Sequence, residues 1–340
     1  MNRISELLHG AEYDFIKTNE HLGKHVILLG LAGSYSYGTN IEGSDIDVRG
    51  IALNRKSDLI GLTQFEQYVD DKTDTVIYAF NKIVTLLLNC NPNTIELLGL
   101  NPEHYLYLSD IGQMLFDNRK LFLSKRAIHS FGGYADAQLR RLQNALARDS
   151  FPQSEREQHI YNSVKNAMHY FNTSFKNFEN GSMEIFIDKA VNPEFETEIF
   201  VNANMTHYPL RDYASMWNVM SNVIRDYDKI GKRNKKKDDL HLNKHAMHLI
   251  RLFLMALDIL EKGEINTYRK KEHELLMDIR FGKYQKEDGT FHESFYEMLS
   301  DLEQRLHYAA ENTDLPDEPD INKVQELVMT INEKVVRDEI

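Results

Sequence analysis

Gly33-Ser34-Tyr35-Ser36-Tyr37-Gly38-Thr39-Asn40-Ile41-Glu42-Gly43-Ser44-Asp45-Ile46-Asp47-Val48-Arg49-Gly50 is the stretch on which the reading of this 340-residue chain turns. It follows HVILLGLAG (25–33), a continuous apolar run that reads as a buried strand ending in a turn. IDVRGIALN (46–54) reads as a second strand. Gly33 permits a tight turn and close backbone approach, and Ser34 adds a hydroxyl. Free backbone N–H groups at a helix start make an anion site suited to a triphosphate. Asp45 and Asp47 stand at i and i+2, which on a strand places both carboxylates on one face. Two like charges so close are costly without a cation between them. Mg2+ suits the position, being hard and oxygen-seeking, with Mn2+ as its substitute. Such a pair can hold two metals, one activating an acceptor hydroxyl and one steadying a leaving pyrophosphate. Gly-Ser or Asp-x-Asp alone marks many ordinary turns. A calcium loop would need a ligand spacing and terminal Glu that are missing here. The conjunction of strand, Gly-Ser, a spacer, Asp-x-Asp and a second strand is far more specific.

Outward from this stretch, residues 3–20 read as a helix, with Ile4, Leu7, Leu8, Ala11 and Phe15 at helical spacing. FEQYV (65–69) and DTVIY (74–78) are rich in β-branched and aromatic residues and read as a hairpin across DDKT. AFNKIVTLLLN (79–89) reads as a helix broken by NPN (91–93), with Asn93 or Thr94 capping the next. Beyond about residue 110 the strand signals mostly stop. Segments 120–148, 155–178, 211–230, 238–262, 293–312 and 319–338 read as helices, and FETEIFVN (195–202) as the one extended stretch. The spacing therefore predicts an α/β domain over 1–115 and a mainly helical one over 116–340.

Composition narrows the setting. One cysteine, Cys90, allows no internal disulfide, and a reducing cytoplasmic compartment is the expectation. The N-terminus lacks an apolar run behind basic residues, so no secretory signal is expected. LIRLFLMALDIL (249–260) is short and carries Arg251 and Asp258, so no membrane span is expected. A net charge of −12 argues against coating nucleic acid by bulk attraction. From Arg225 to Arg251, however, nine Lys or Arg face four Asp. The stretch 229–244, with KRNKKK (232–237) in it, is either a solvated loop or a contact for RNA. Oligomeric state stays open.

Lys244, His248 and Arg251 fall on one face of an otherwise apolar helix. Such a stripe needs partners: triphosphate oxygens and the acceptor would serve, and so would buried carboxylates. Arg280 could reach the same site or cap its own helix. Arg49 could pair with an acidic residue and hold the site in shape. Trp217, in YASMWNVM, reads as core rather than as a stacking platform.

GSYSYGTNIEGSDIDVRG resembles the Gly-Ser…Asp-x-Asp signature of the polymerase-beta-like nucleotidyltransferase superfamily, and GS-x-x-YGT…SDIDVRG is most similar to a bacterial and phage branch associated with RNA repair. Three further islands resemble that branch: NPNTIELL (91–98), KHAMHLIRLFLMALDILEKGEI (244–265) and LLMDIRFGKY (275–284). Residues 150–237 carry no such resemblance. The resemblance implies an α+β fold, with a minimal nucleotidyltransferase domain (a short mixed sheet with helices) followed by a helical domain. It implies that Gly33 and Ser34 cradle an NTP, with ATP the expected one, and that Asp45 and Asp47 bind Mg2+. The superfamily also uses a third carboxylate on a neighbouring strand, often as base for the acceptor hydroxyl. Asp74 is the choice for that catalytic and metal-binding role, with Asp70 and Asp71 as rivals. The implied activity is transfer of NMP to a hydroxyl, foremost on RNA such as a tRNA 3′ end. The alternatives are adenylylation of a protein or small molecule, and an inactive, antitoxin-like binding module.

Overall fold

Five strands place the decisive stretch at the middle of a mixed sheet. They are β1 (Val26–Ala32), β2 (Asp47–Ala52), β3 (Gln67–Asp70), β4 (Thr75–Ala79) and β5 (Tyr105–Leu108), in the order β3-β4-β2-β1-β5. The computed structural model describes residues 8, 10–150, 157–158, 161–162, 165, 181–191, 196–205, 209–210, 213–218, 220–221, 224, 239–287 and 289–340. β1 is buried along its whole length, as a continuous apolar run flanked by two strands should be. It pairs antiparallel with β2 and β5, while β2 runs parallel to β4. FEQYV and DTVIY form the expected hairpin, β3 antiparallel to β4.

The helices that bear on the site and its support are α1 (Gly33–Tyr37), α2 (Phe80–Leu88), α3 (Asp110–Asp117), α4 (Arg126–Ser150), α5 (Asp239–Leu257), α6 (His273–Arg280), α7 (Glu293–Asn312) and α8 (Ile321–Val336), among shorter turns. A π-helical turn, Asp258–Lys262, continues α5. Asn91, not Asn93 or Thr94, caps the turn after α2, because Pro92 takes the first helical position and Asn91 accepts from the Asn93 N–H.

Contacts divide the chain into two units: residues 1–140, 243–284 and 291–340, and residues 141–242 with 285–290. This does not follow the expected boundary at 115/116, because α5 to α8 pack in the unit that holds the five-stranded sheet. The second unit contains the antiparallel ribbon of β6 (Gly181–Lys189) and β7 (Thr197–Met205). FETEIFVN is thus extended, and its partner strand was hidden in a polar neighbourhood. The described part of the expected 3–20 helix after Gly10 is two short turns, Ala11–Tyr13 and Phe15–Thr18, bounded by extended backbone at Gly10 and Asn19. KRNKKK lies outside the described residues.

Beneath α1 the four sequence islands meet. The Tyr37 hydroxyl donates to Glu96 Oε2 at 2.5 Å, and the Arg251 guanidinium stacks 3.4 Å from the Tyr37 ring centroid. All three side chains are buried, and burial pushes the Glu96 carboxyl and the Tyr37 hydroxyl up from their usual ranges. Arg280 Nη1 donates to the Thr39 carbonyl at 2.8 Å, so it neither caps its helix nor stands in the open. Arg269, also buried, pairs with Asp258 at 2.6 Å. Gly38, at φ 71, leaves no space for a side chain against the Tyr268 ring. A short helix is thereby held by buried polar contacts from three distant segments.

Two glycines should respond oppositely to alanine. A Cβ on Gly112 would meet the Ile27 carbonyl oxygen at 2.2 Å, whereas one on Gly133, within α4, meets nothing within 4 Å. Thermal unfolding should show Gly112→Ala losing about 1–3 kcal/mol and Gly133→Ala gaining roughly 0.5–1 kcal/mol. Equal Tm shifts in one direction would contradict this packing.

Candidate active site

Sheet register brings the site together. Ala32 stands opposite Asp47, and Val48 opposite Thr75. The residue after β1 (Gly33), the first residue of β2 (Asp47) and the residue before β4 (Asp74) therefore share one end of three adjacent strands. Gly33 sits at φ 57, and a Cβ there would fall 1.8 Å from Asp47 Oδ2. Glycine is required on both counts. Ser34 follows it in α1, and Ser36 Oγ donates to the Gly33 carbonyl at 2.9 Å.

Asp47 and Asp74 are hydrogen-bonded through their carboxyls. Burial, the bond to Asp74 and the Asp74 charge push the Asp47 carboxyl up to about 7, against the opposing charges of Arg49 and Lys244. Asp74 is held below the usual carboxylate range, first by its bond with Asp47 and then by Arg49. The two acids are thus placed to share one proton. Arg49 Nη1 donates to the Asp74 carbonyl at 2.5 Å, and Nη2 to Oδ1 at 3.2 Å. Asp74 has φ 44, an unfavourable value for a side-chain-bearing residue. The Arg49 contacts and the bond from the Val48 N–H to the Asp74 carbonyl, 3.2 Å, hold it there.

The other expected residues fall in different places. β2 begins at Asp47, so the strand argument for Asp45 and Asp47 sharing a face does not apply. Asp45 is exposed and lines an open cleft of about 520 Å³ with Glu12, Tyr13, Ile46, Asp71, Lys72, Thr73 and Asp74. Asp70 is occupied by the turn, accepting from the Thr73 N–H and hydroxyl. Lys244 is exposed on α5, and its charge acts on both Asp47 and Asp74. His248 is half-buried one turn further on. Arg251 is under α1 against Tyr37, the buried-partner alternative for this stripe. Sequence reasoning did not single out Tyr37 and Glu96. A glutamate inside the apolar run Ile95-Glu96-Leu97-Leu98 was the available signal, since a buried acid needs a donor.

Among the described residues, no three His, Cys, Asp or Glu side chains are already gathered as a metal cluster. The Asp47–Asp74 pair nevertheless suits a divalent ion. It offers hard oxygen donors, and its shared proton marks the spot where positive charge is needed. The sign of the pH effect follows. Without metal, folded Asp47 keeps a proton that the unfolded chain releases near the ordinary value of about 4. Stability should therefore fall as pH rises from there to about 7, and level off above. A cation replacing that proton should raise Tm more at about pH 8 than at about pH 5.5. Asp47→Asn should abolish the difference. Equal Mg2+-induced shifts at both pH values, read by calorimetry, would contradict the shared-proton assignment.

No helix among the described residues is long and apolar enough to cross a membrane. No curated protein and no solved structure matches the chain. A family model matches residues 11–330, which include all four islands, the sheet and the Gly33–Asp47–Asp74 constellation. On that match the chain belongs to the RNA repair pathway DNA polymerase beta family.

Proposed function

We propose that this chain is a Mg2+-dependent nucleotidyltransferase that moves NMP from an NTP, foremost ATP, to a hydroxyl on RNA such as a tRNA-like 3′ end, releasing pyrophosphate. The observation that carries the reading is the convergence of Gly33, Asp47 and Asp74 on one end of three adjacent strands. Membership of an RNA repair family supports the acceptor.

The chain's own residues divide the work. The Gly33–Ser34 turn offers backbone N–H groups and a hydroxyl to the phosphates. Asp47 and Asp74, with Asp45 nearby, would hold the divalent ion, which supplies charge neutralisation for the phosphates. Asp74, ionised and aimed by Arg49, takes the proton of the acceptor hydroxyl. The acceptor oxygen then bonds to the α-phosphorus as the α–β bridging bond breaks, and pyrophosphate leaves with that electron pair. Lys244 meets the charge that develops on the leaving group, and His248 stands behind it on the same helix. Arg251 acts indirectly, packing α1 through Tyr37. Positioning and charge neutralisation are what this chemistry requires of a protein.

One observation favours another acceptor. Beside Asp74 the cleft is lined by Glu12, Asp45 and Asp71, with Lys72 as its cation. That lining disfavours a phosphate backbone and suits a protein or small-molecule hydroxyl. Incubating the chain with each α-labelled NTP, Mg2+ and RNA, protein or small-molecule acceptors distinguishes the two. Label should enter RNA, and Asp47→Asn or Gly33→Ala should lower it by on the order of 100-fold. Label on protein alone would select the second reading. Label nowhere, from folded chain, would favour a non-catalytic binding module.

A further inference from the structure

Tyr213 and Trp217 stand outward on a helix of the second unit. Residues 210, 213–218, 220, 221 and 224 are helical there. Met216 and Met220, four apart, take the buried side. Leu210, Tyr213, Trp217 and Ile224, spaced by three, four and seven, are exposed along the adjoining flank, a stripe that Met220 shares. Tyr213 is 40% and Trp217 52% exposed, and their rings are parallel within 6° at a centroid distance of 6.5 Å. The expectation that Trp217 belongs to the core is thus reversed: its side chain stands exposed beside the buried Met216 and Met220.

We infer that Tyr213 and Trp217 form a stacking platform for unpaired bases of a single-stranded RNA segment, a site separate from the Asp47–Asp74 constellation. Two exposed, parallel aromatic faces on one helix offer what bases need, since every base has a π-face and stacking on aromatic side chains tolerates sequence. The basic sequence that follows the helix favours RNA over other occupants. The chain carries −12, yet residues 141–242 contain 14 Lys or Arg and 14 Asp or Glu, so the acid excess lies outside them. Following the helix in sequence, residues 225–237 hold seven Lys or Arg against two Asp. An apolar stripe set in such a sequence can admit a polyanion. A duplex would gain less than a single strand, because its bases are already stacked on one another. This inference rests on the RNA-acceptor reading for its ligand class and not for its geometry.

Trp217 is the one tryptophan of the chain, so its fluorescence reports on the platform directly. The full-length protein is titrated, without NTP, with a short mixed-sequence oligoribonucleotide and with the same sequence as a blunt duplex. The single strand should quench Trp217 saturably, and the duplex should bind more weakly. By anisotropy of a labelled oligonucleotide, Trp217→Ala and Tyr213→Ala should each weaken binding on the order of 10-fold, while Trp217→Phe retains most of the affinity. Both positions are exposed, and unchanged Tm values verify that the variants fold. Asp47→Asn should bind the oligonucleotide as the unaltered chain does. Quenching without nucleotide transfer would sink the reaction alone and leave the platform standing. Transfer to RNA without quenching, unchanged affinity in Trp217→Ala, or equal binding of duplex and single strand would overturn the platform.

Discussion

Two carboxylates, Asp47 and Asp74, are held so close that one keeps its proton at pH values where an aspartate is ordinarily charged. Much of the surrounding sheet can be understood as the means of holding them there. Repulsion between two ionised acids would open the strand end if nothing opposed it. Arg49 grips both the carbonyl and the carboxylate of Asp74, and Val48 binds that same carbonyl. Asp74 stays at a backbone angle that an isolated residue would leave. Gly33 completes the arrangement because no other residue leaves room for the Asp47 carboxylate. A divalent ion would relieve the same repulsion that a proton relieves in the metal-free chain. That is the physical link between this geometry and phosphoryl chemistry.

Position at the strand ends is only half of the design. α1 carries the Gly33–Ser34 turn, and at five residues it has little stability of its own. Tyr37 anchors its far end to Glu96 and Arg251, while Arg280 holds the Thr39 carbonyl just beyond. A buried carboxyl, phenol and guanidinium are costly to bring together. Once paired they are costly to separate, and they favour one orientation of the turn. Arg251, for which triphosphate oxygens and buried partners were both open, packs against Tyr37 in this clamp.

Charge is unevenly spread along the chain. The cleft beside Asp74 is lined by Glu12, Asp45 and Asp71 with Lys72, a lining that disfavours a phosphate backbone. Residues 141–242 are balanced in charge.

The sequence by itself determined the family signature and most of the local elements around it. The apolar run 25–33 read as a buried strand and holds one, the FEQYV/DTVIY pair formed its hairpin, and Gly-Ser with Asp-x-Asp pointed to a metal and a triphosphate. Those signals are local, so they survive without knowledge of the fold. Tertiary structure decided which acids meet. Asp47 reaches Asp74 because β2 runs parallel to β4, whereas Asp45, two residues earlier, stands outside the strand on the cleft rim. It also decided that Glu96 and Arg251 are partners and that Trp217 faces outward. It placed α5 to α8 in the unit of the five-stranded sheet. These outcomes depend on register and packing between segments far apart in the chain, and no spacing along a single segment encodes them.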